Sequence, residues 1–403
     1  MPGRSANPPD FGLFLVVLAL LLLGLVLVYS SSYYLSARYF GDSSYLLRRQ
    51  LLAALIGLVL LFLLMHLDYH CLRGIDDLLL LGALGLTLMT LIPGLSSGGR
   101  WLLLGPLRFQ PSELLKLALT IYLASTILRR QAAGKMGSFV EGILPYLAIL
   151  GVAAGLVLKQ PDMGMALIYG SIVFFMLFVG RARIAHLFVS GLAGLPLIYL
   201  FLHASYRWGR IVSFWDPFKY GQGQGYQLLQ SLTAIGSGGP FGRGLGLGRE
   251  KLLYLPSAHN DFIVAVVGEE LGLLGGLLLL GLFGLLLYRG LKIIGRAPDR
   301  FGYLLGAGLL FTLSLQVALN LGVASGVLPV TGLTLPFISY GGSSLIISLA
   351  MVGILLNISK QGKEGENASL SGRRGERWTP LPRAGNPGGL PRPRGGAPRL
   401  HWG

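Results

Sequence analysis

Cysteine is almost absent from this chain. Cys71 stands alone in 403 residues, so no intramolecular disulfide can form and a thiolate metal site is excluded. Charge is scarce as well: 12% of residues are Asp, Glu, Lys or Arg, against roughly 25% in soluble domains. A soluble fold this poor in charge could not cover its surface. The six histidines show no ligand-like spacing. Acidic residues are outnumbered, 17 against 33 Lys and Arg, for a net charge of +16. The positive excess does not gather in a polar domain, so nucleic acid is excluded as a partner. It lies in short loops between apolar runs and in a C-terminal tail, where the expected partner is an anionic lipid bilayer.

Hydrophobic residues make up 53% of the chain, and there are 60 glycines, a residue frequent where membrane helices approach closely. Runs of spanning length occur near 11–32, 50–67, 75–93, 111–128, 139–158, 163–180, 184–203, 258–288, 302–325 and 343–358. The first has no small-residue cleavage site and reads as a retained helix rather than a signal peptide. The expected fold class is therefore all-α: a polytopic integral membrane protein of about ten transmembrane helices. Residues 1–10 form a cytoplasmic N-terminal segment, 11–358 the membrane domain, and 204–257 a long outer loop between helices 7 and 8. Residues 359–403 are basic and rich in Pro, Gly and Arg, a composition expected to be disordered. Arg73, Arg129, Arg130, Lys135, Arg181, Arg183, Arg289 and Lys292 fall on the side of the termini. Arg38, Arg48, Arg49, Arg100, Arg108 and Lys159 fall on the other. The bias places both termini in the cytoplasm.

Several segments carry ionisable groups at membrane depth. In FQPSELLK (109–116), Pro111 suits a first helical position, and Glu113 and Lys116 share a helix face at three-residue spacing. They form either a self-neutralising pair or the lining of a polar cavity. In SSGGRW (96–101), Arg100 and Trp101 are either a snorkelling arginine with an interfacial tryptophan, or contacts for a phosphate and a sugar. In YRWGRIVSFWDPF (206–218), Arg207 and Arg210 share a face if the stretch is helical. The glycine-rich stretch ending in GRGLG (242–246) can turn backbone amides toward an anion. Its GxGxxG-like spacing has no preceding strand, so a dinucleotide site is a poor reading. In REKLLYLPSAHNDFIVAVVGEELG (249–272), Asp261 is either a first-turn acid complementing a helix dipole or a catalytic group. Glu269 and Glu270 sit deeper in an apolar helix and require partners. LPVTGLTLPFISYGGSSL (328–345) contains two prolines and a Gly-Gly pair, and reads as a re-entrant loop beneath the cavity.

QPSELLK, QPDMG (160–164), GYQLLQS (225–231), AHNDFI (258–263) and PVTGLTLPFISYGGSS (329–344) together resemble the FtsW/RodA (SEDS) family of peptidoglycan glycosyltransferases, over about 12–358. LGREKLLYLPSAHNDFIVAVVGEELG and TGLTLPFISYGGSS look more like its division branch than its elongation branch. The resemblance implies a ten-helix enzyme of cell-wall biogenesis that polymerises lipid II at the outer face and releases undecaprenyl pyrophosphate. It implies Asp261 as the catalytic acid–base residue and Glu113, Lys116, Trp101, Arg100, Arg207, Arg210 and Lys251 as substrate-binding. No cofactor is required by the sequence, although a divalent cation, Mg or Mn, can assist the pyrophosphate. Implied partners are a class B penicillin-binding protein and other divisome membrane proteins, at the inner (plasma) membrane of a bacterial division septum. Two positions depart from the family pattern. Gly99 stands where an arginine is frequent, so one phosphate contact is either missing or supplied by Arg108, and Ser257 stands where a glutamate is frequent.

A transporter that flips the lipid-linked precursor would need the same cavity and charges, but transporters often carry repeated halves and this sequence shows none. A scaffold recruiting a transpeptidase is the third alternative. The topology is testable first. With Cys71 replaced by Ser, cysteines placed at Ser237 and Ser369 should react with an impermeant thiol reagent from opposite sides of the membrane. Labelling of both from outside would reject this arrangement.

Overall fold

The computed structural model describes residues 8–104, 107–202, 205–217, 219, 223, 225–249, 255 and 258–375. Helices α1 (Phe11–Phe40) and α2 (Tyr45–His66) form a hairpin, and a 3-10 turn (Tyr69–Gly74) leads to α3 (Asp76–Met89). Three short antiparallel strands follow, β1 (Ser96–Ser97), β2 (Trp101–Leu104) and β3 (Leu107–Phe109). Then come α4 (Pro111–Ala132), the single turn α5 (Phe139–Gly142), α6 (Leu144–Lys159), α7 (Met163–Val179) and α8 (Ile184–Leu202). The long loop carries α9 (Ser205–Trp215) and α10 (Tyr226–Gly238). The chain continues with α11 (Ile263–Gly295), α12 (Arg300–Ala324) and α13 (Gly342–Gly375).

Among the described residues, α1, α2, α4, α11, α12 and α13 are the six helices long and apolar enough to cross a membrane. The shorter apolar helices are α6, α7 and Ile184–Pro196 of α8, and α3 lies at the expected third run. Burial sorts them. The spanning windows of α13 and α4 are 89% and 83% buried and form the centre, with α12 beside them. The window of α11 is only 28% buried and presents leucines outward, as a lipid-facing helix must.

Helix ends differ from the apolar runs for local reasons. α1 continues through Ser30–Ser32 and Ser36, whose small side chains are buried, and stops where Gly41 turns left-handed and caps Ala37. α11 begins at Ile263 rather than near 258, because 258–262 is a series of turns. α13 passes the end of its apolar run and continues to Gly375, while 376–403 lie outside the described residues. The strands at 96–109 were not expected from the sequence. Ser97–Arg100 makes the tight turn between β1 and β2, with Gly98 and Gly99 both at positive φ (61° and 69°). The turn therefore favours glycine at 99, where the family often has arginine.

The glycine-rich loop after α10 has an unexpected occupant. α11 breaks at Gly272 (φ 65°, ψ −159°), and the loop supplies the backbone bonds the break removes. Arg243 and Gly244 N–H donate to the carbonyls of Glu269 and Glu270 (2.9 and 3.0 Å), while Leu273 and Leu274 N–H donate to Gly239 and Pro240 (3.0 and 3.2 Å). The Glu269 carboxylate accepts from Arg249 N–H at 2.6 Å, with the Arg243 guanidinium 3.7 Å away. The Glu270 carboxylate accepts from Gly246 N–H at 3.1 Å and from the Ser30 hydroxyl at 2.6 Å. The amides do turn toward anions, but the anions are two fully buried glutamates of the chain itself. A Cβ on Gly272 would lie 2.3 Å from Gly242 N and 2.7 Å from Gly239 O. Gly272→Ala should therefore lower stability by more than the roughly 1–3 kcal/mol of a strained backbone alone. Thermal unfolding in detergent measures this, and an unchanged midpoint would show that the loop does not pack on the break.

Candidate active site

Pro111 opens α4 at its first turn, where a missing N–H is harmless. One turn further, Lys116 Nζ donates to Glu113 Oε2 at 2.6 Å and to Gln316 Oε1 on α12 at 2.7 Å. Lys116 is fully buried and Glu113 nearly so. Gln316 relays the contact onward through its Nε2, which donates to the Thr334 carbonyl at 3.0 Å and lies 3.3 Å from Ser344 Oγ. The pair is thus one end of a chain of bonds that fixes the non-helical segment between α12 and α13. Both earlier alternatives contribute: the charges neutralise each other, and Glu113 also lines a cavity.

That segment, 328–341, is non-helical and largely buried, as a re-entrant loop must be. Its backbone is satisfied by amide side chains. Gln50 of α2 donates to the Ser339 carbonyl (3.1 Å) and accepts from Gly341 N–H (3.2 Å). Asn320 of α12 donates both to the Leu333 carbonyl (2.6 Å) and to the Asp261 carbonyl (3.0 Å). Tyr340 N–H donates to the His259 carbonyl at 2.9 Å. The backbone of 259–261 is therefore pinned at two points, to the re-entrant segment through Tyr340 and to α12 through Asn320. Phe262, not Asp261, is the N-cap residue of α11, and it makes no side-chain cap bond.

A cavity of about 540 Å³ lies where these elements meet. Asp261, Glu113, Arg100 and Trp101 all line it, so four of the eight residues singled out in the sequence converge on one space. Asp261 is half-buried there, and its Oδ2 stands 3.8 Å from the Cβ position of Gly332. Arg49 and Arg108 also line it. Sequence reasoning missed Arg49 and held Arg108 only as a substitute. Their signal was available: both are cations on the side that the Lys/Arg bias leaves poor in them. Burial pushes the His259 imidazole, another lining group, down to about 4, so it is neutral at pH 7 and adds no positive charge.

The remaining expectations fare differently. Lys116 was expected to contact substrate, but it does not line the cavity, because Glu113 and Gln316 enclose its ammonium. Arg100 lines the cavity while donating to the carbonyls of Gln160 (2.6 Å) and Pro161 (2.5 Å), which fixes its guanidinium against the QPDMG segment. Arg207 and Arg210 lie on α9, so the helical condition for their sharing a face is met, but their side chains fall outside what is described. Lys251 also lies outside the described residues. Among the described residues, no group of three or more His, Cys, Asp or Glu is placed to hold a metal ion. Of the lining carboxylates, Glu113 is bonded to Lys116, and Asp162 accepts from Met165 N–H and Gln110 Nε2. The described side chains thus form no resident metal cage.

The family model of FtsW/RodA/SpoVE cell cycle proteins matches residues 11–364. A "Probable peptidoglycan glycosyltransferase FtsW" of Trichlorobacter lovleyi is 43% identical over 355 residues, 87% of this chain and 93% of that protein. Stage V sporulation protein E of Bacillus subtilis is 42% identical, over 88% and 98%. Among solved structures, a chain of a peptidoglycan synthase complex described as coordinating polymerization and crosslinking matches with a TM-score of 0.71 at 33% identity, over 88% and 98% of the two chains. The rod shape determining protein RodA of Thermus thermophilus matches at 0.64 and 34%, over 88% and 97%.

The buried pair generates a stability test. Lys116→Ala leaves a buried carboxylate without its cation and Gln316 without its donor, a loss of about 3–5 kcal/mol. The double variant Glu113→Gln, Lys116→Met removes both charges and should recover most of that. Thermal unfolding of the purified variants compares them. A single variant as stable as wild type would exclude a structural role for the pair.

Proposed function

The chain belongs to the FtsW/RodA/SpoVE family, and on that premise we propose that it is a peptidoglycan glycosyltransferase that polymerises lipid II. The observation that carries this reading is the convergence of a half-buried carboxylate, Asp261, with three arginines and a tryptophan on one cavity. The bundle end that bears the cavity is the one the Lys/Arg bias assigns to the outer face, where lipid-linked substrate is used.

The chemistry follows from those groups. The 4-hydroxyl of the acceptor sugar is a weak nucleophile. Asp261 accepts its proton as general base while the oxygen attacks C1 of the donor sugar. A glycosidic C–O bond forms, the C1–O bond to the pyrophosphate breaks, and undecaprenyl pyrophosphate leaves with the electron pair. Negative charge grows on the leaving group, and Arg49, Arg100 and Arg108 on the cavity wall are placed to stabilise it. Arg207, Arg210 and Lys251 of the outer loop are further candidates, and a magnesium or manganese ion would enter with the pyrophosphate. Trp101 offers a flat face for a sugar ring. Asn320 holds the Asp261 backbone and so positions the base.

The identity to proteins named for FtsW supports a role in septal wall synthesis, and the Lys/Arg bias supports cytoplasmic termini. The match to a synthase complex supports a class B penicillin-binding protein as the crosslinking partner.

Asp261→Asn keeps size and shape but cannot take a proton. The variant should insert and bind lipid II normally, while polymerisation falls by about 10²–10⁴-fold, the usual worth of a general base. Incubation with labelled lipid II measures this and separates the alternatives, because a flippase would translocate without forming glycan chains. Polymerisation at the wild-type rate by the asparagine variant would remove Asp261 from the reaction.

A further inference from the structure

A second cavity, of about 510 Å³, lies at the opposite end of the bundle. It is walled by the last turn of α4 (Gln131), the following 3-10 turn (Met136, Gly137), the end of α7 (Gly180, Arg181) and the start of α12 (Arg300). No carboxylate lines it. The acids described at this end pair elsewhere: Asp76 and Asp77 with Arg129, Glu141 with Lys135, Asp10 with Arg289, and Asp68 and Asp299 with His70. Among the described residues, Arg181 and Arg300 are left without an ion-pair partner. The Arg183 guanidinium borders the same space, 3.5 Å from the Cβ position of Gly137.

Arg300 is held by its side chain and Arg181 by its backbone. Arg300 donates to the Val179 carbonyl at 3.3 Å and lies over the Tyr303 ring at 4.9 Å. Gln131 Nε2 donates to the Gly180 carbonyl at 2.7 Å, which fixes the end of α7. Arg181 itself is left-handed (φ 59°). Its N–H bonds to Phe178 O and the next N–H to Leu177 O, both at 3.0 Å, the pattern of a helix terminus that glycine usually closes. Glycine would hold this turn without steric cost. The residue present instead accepts the strain and puts an arginine at the cavity wall.

We propose that this cavity binds the phosphodiester headgroup of an anionic phospholipid, with Arg181 and Arg300 as its ligands. Basic pockets between helix ends on the cytoplasmic side suit such headgroups. The shared chemistry is a phosphate monoanion, and a lipid is favoured over a soluble phosphate because the site lies among the ends of membrane helices.

The test uses full-length protein, delipidated in detergent. Binding of dioleoyl phosphatidylglycerol and of dioleoyl phosphatidylcholine is measured by native mass spectrometry, with glycerol phosphate as soluble competitor at matched ionic strength. The wild type should prefer phosphatidylglycerol. Arg181→Gly and Arg300→Gln should each weaken that lipid by about fivefold. Arg181→Gly should also unfold at the same or a higher temperature in phosphatidylcholine, since glycine relieves the backbone. Equal binding of the two lipids, or unchanged phosphatidylglycerol affinity in both variants, overturns the proposal. Full displacement by glycerol phosphate at equal concentration would overturn the lipid assignment in favour of a soluble phosphate.

Discussion

A chain buried among apolar helices has no water to complete its backbone hydrogen bonds, and the form of this protein follows from how that need is met. Where the chain is helical it serves itself. Where it is not, a buried side chain stands in. Gln50 serves both a carbonyl and an amide of the re-entrant segment, and Gln316 and Asn320 serve two more of its carbonyls. Glu269 and Glu270 receive the amides of the glycine-rich loop. Each substitution of side chain for water also fixes the irregular backbone in one place, and so prepares the surfaces that line the cavity.

The arrangement of the candidate site is a by-product of that bracing. Asp261 lies on a segment without regular structure, yet Asn320 ties its carbonyl to α12, and Tyr340 ties the neighbouring His259 to the re-entrant segment. The positive wall comes from three separate elements: Arg49 from α2, Arg100 from the turn before β2, and Arg108 from β3. Arg100 and Arg108 are close in sequence and share one small sheet, while Arg49 lies far from both. The bundle brings them together because α2, α4 and α13 meet around the same irregular loop.

Legibility in the sequence followed the range of the interaction. The helices were legible because spanning length is a local property, and the Glu113–Lys116 pair because three-residue spacing is. Asp261 was not decided by its own surroundings, which suit a dipole-complementing acid equally well; a resemblance extending over five motifs raised its standing. The amide braces were silent, since Gln316 meets Lys116 across 200 residues and Asn320 meets Asp261 across 59. The glycine-rich loop was read correctly as a place where amides face an anion. Its occupants lie 20 and 24 residues further on, so local spacing could not identify them. The strands at 96–109 are too short for any alternation to register.

The 200 residues between Lys116 and Gln316 also have a meaning in time. At about 5–20 residues per second of synthesis, α12 emerges roughly 10–40 seconds after α4. During that interval the ammonium must reside in or near lipid without its amide acceptor. Glu113, one turn away on the same helix, is made almost simultaneously and neutralises it from the start. The carboxylate thus acts as an escort in a newborn helix before it becomes part of a cavity wall in the finished one.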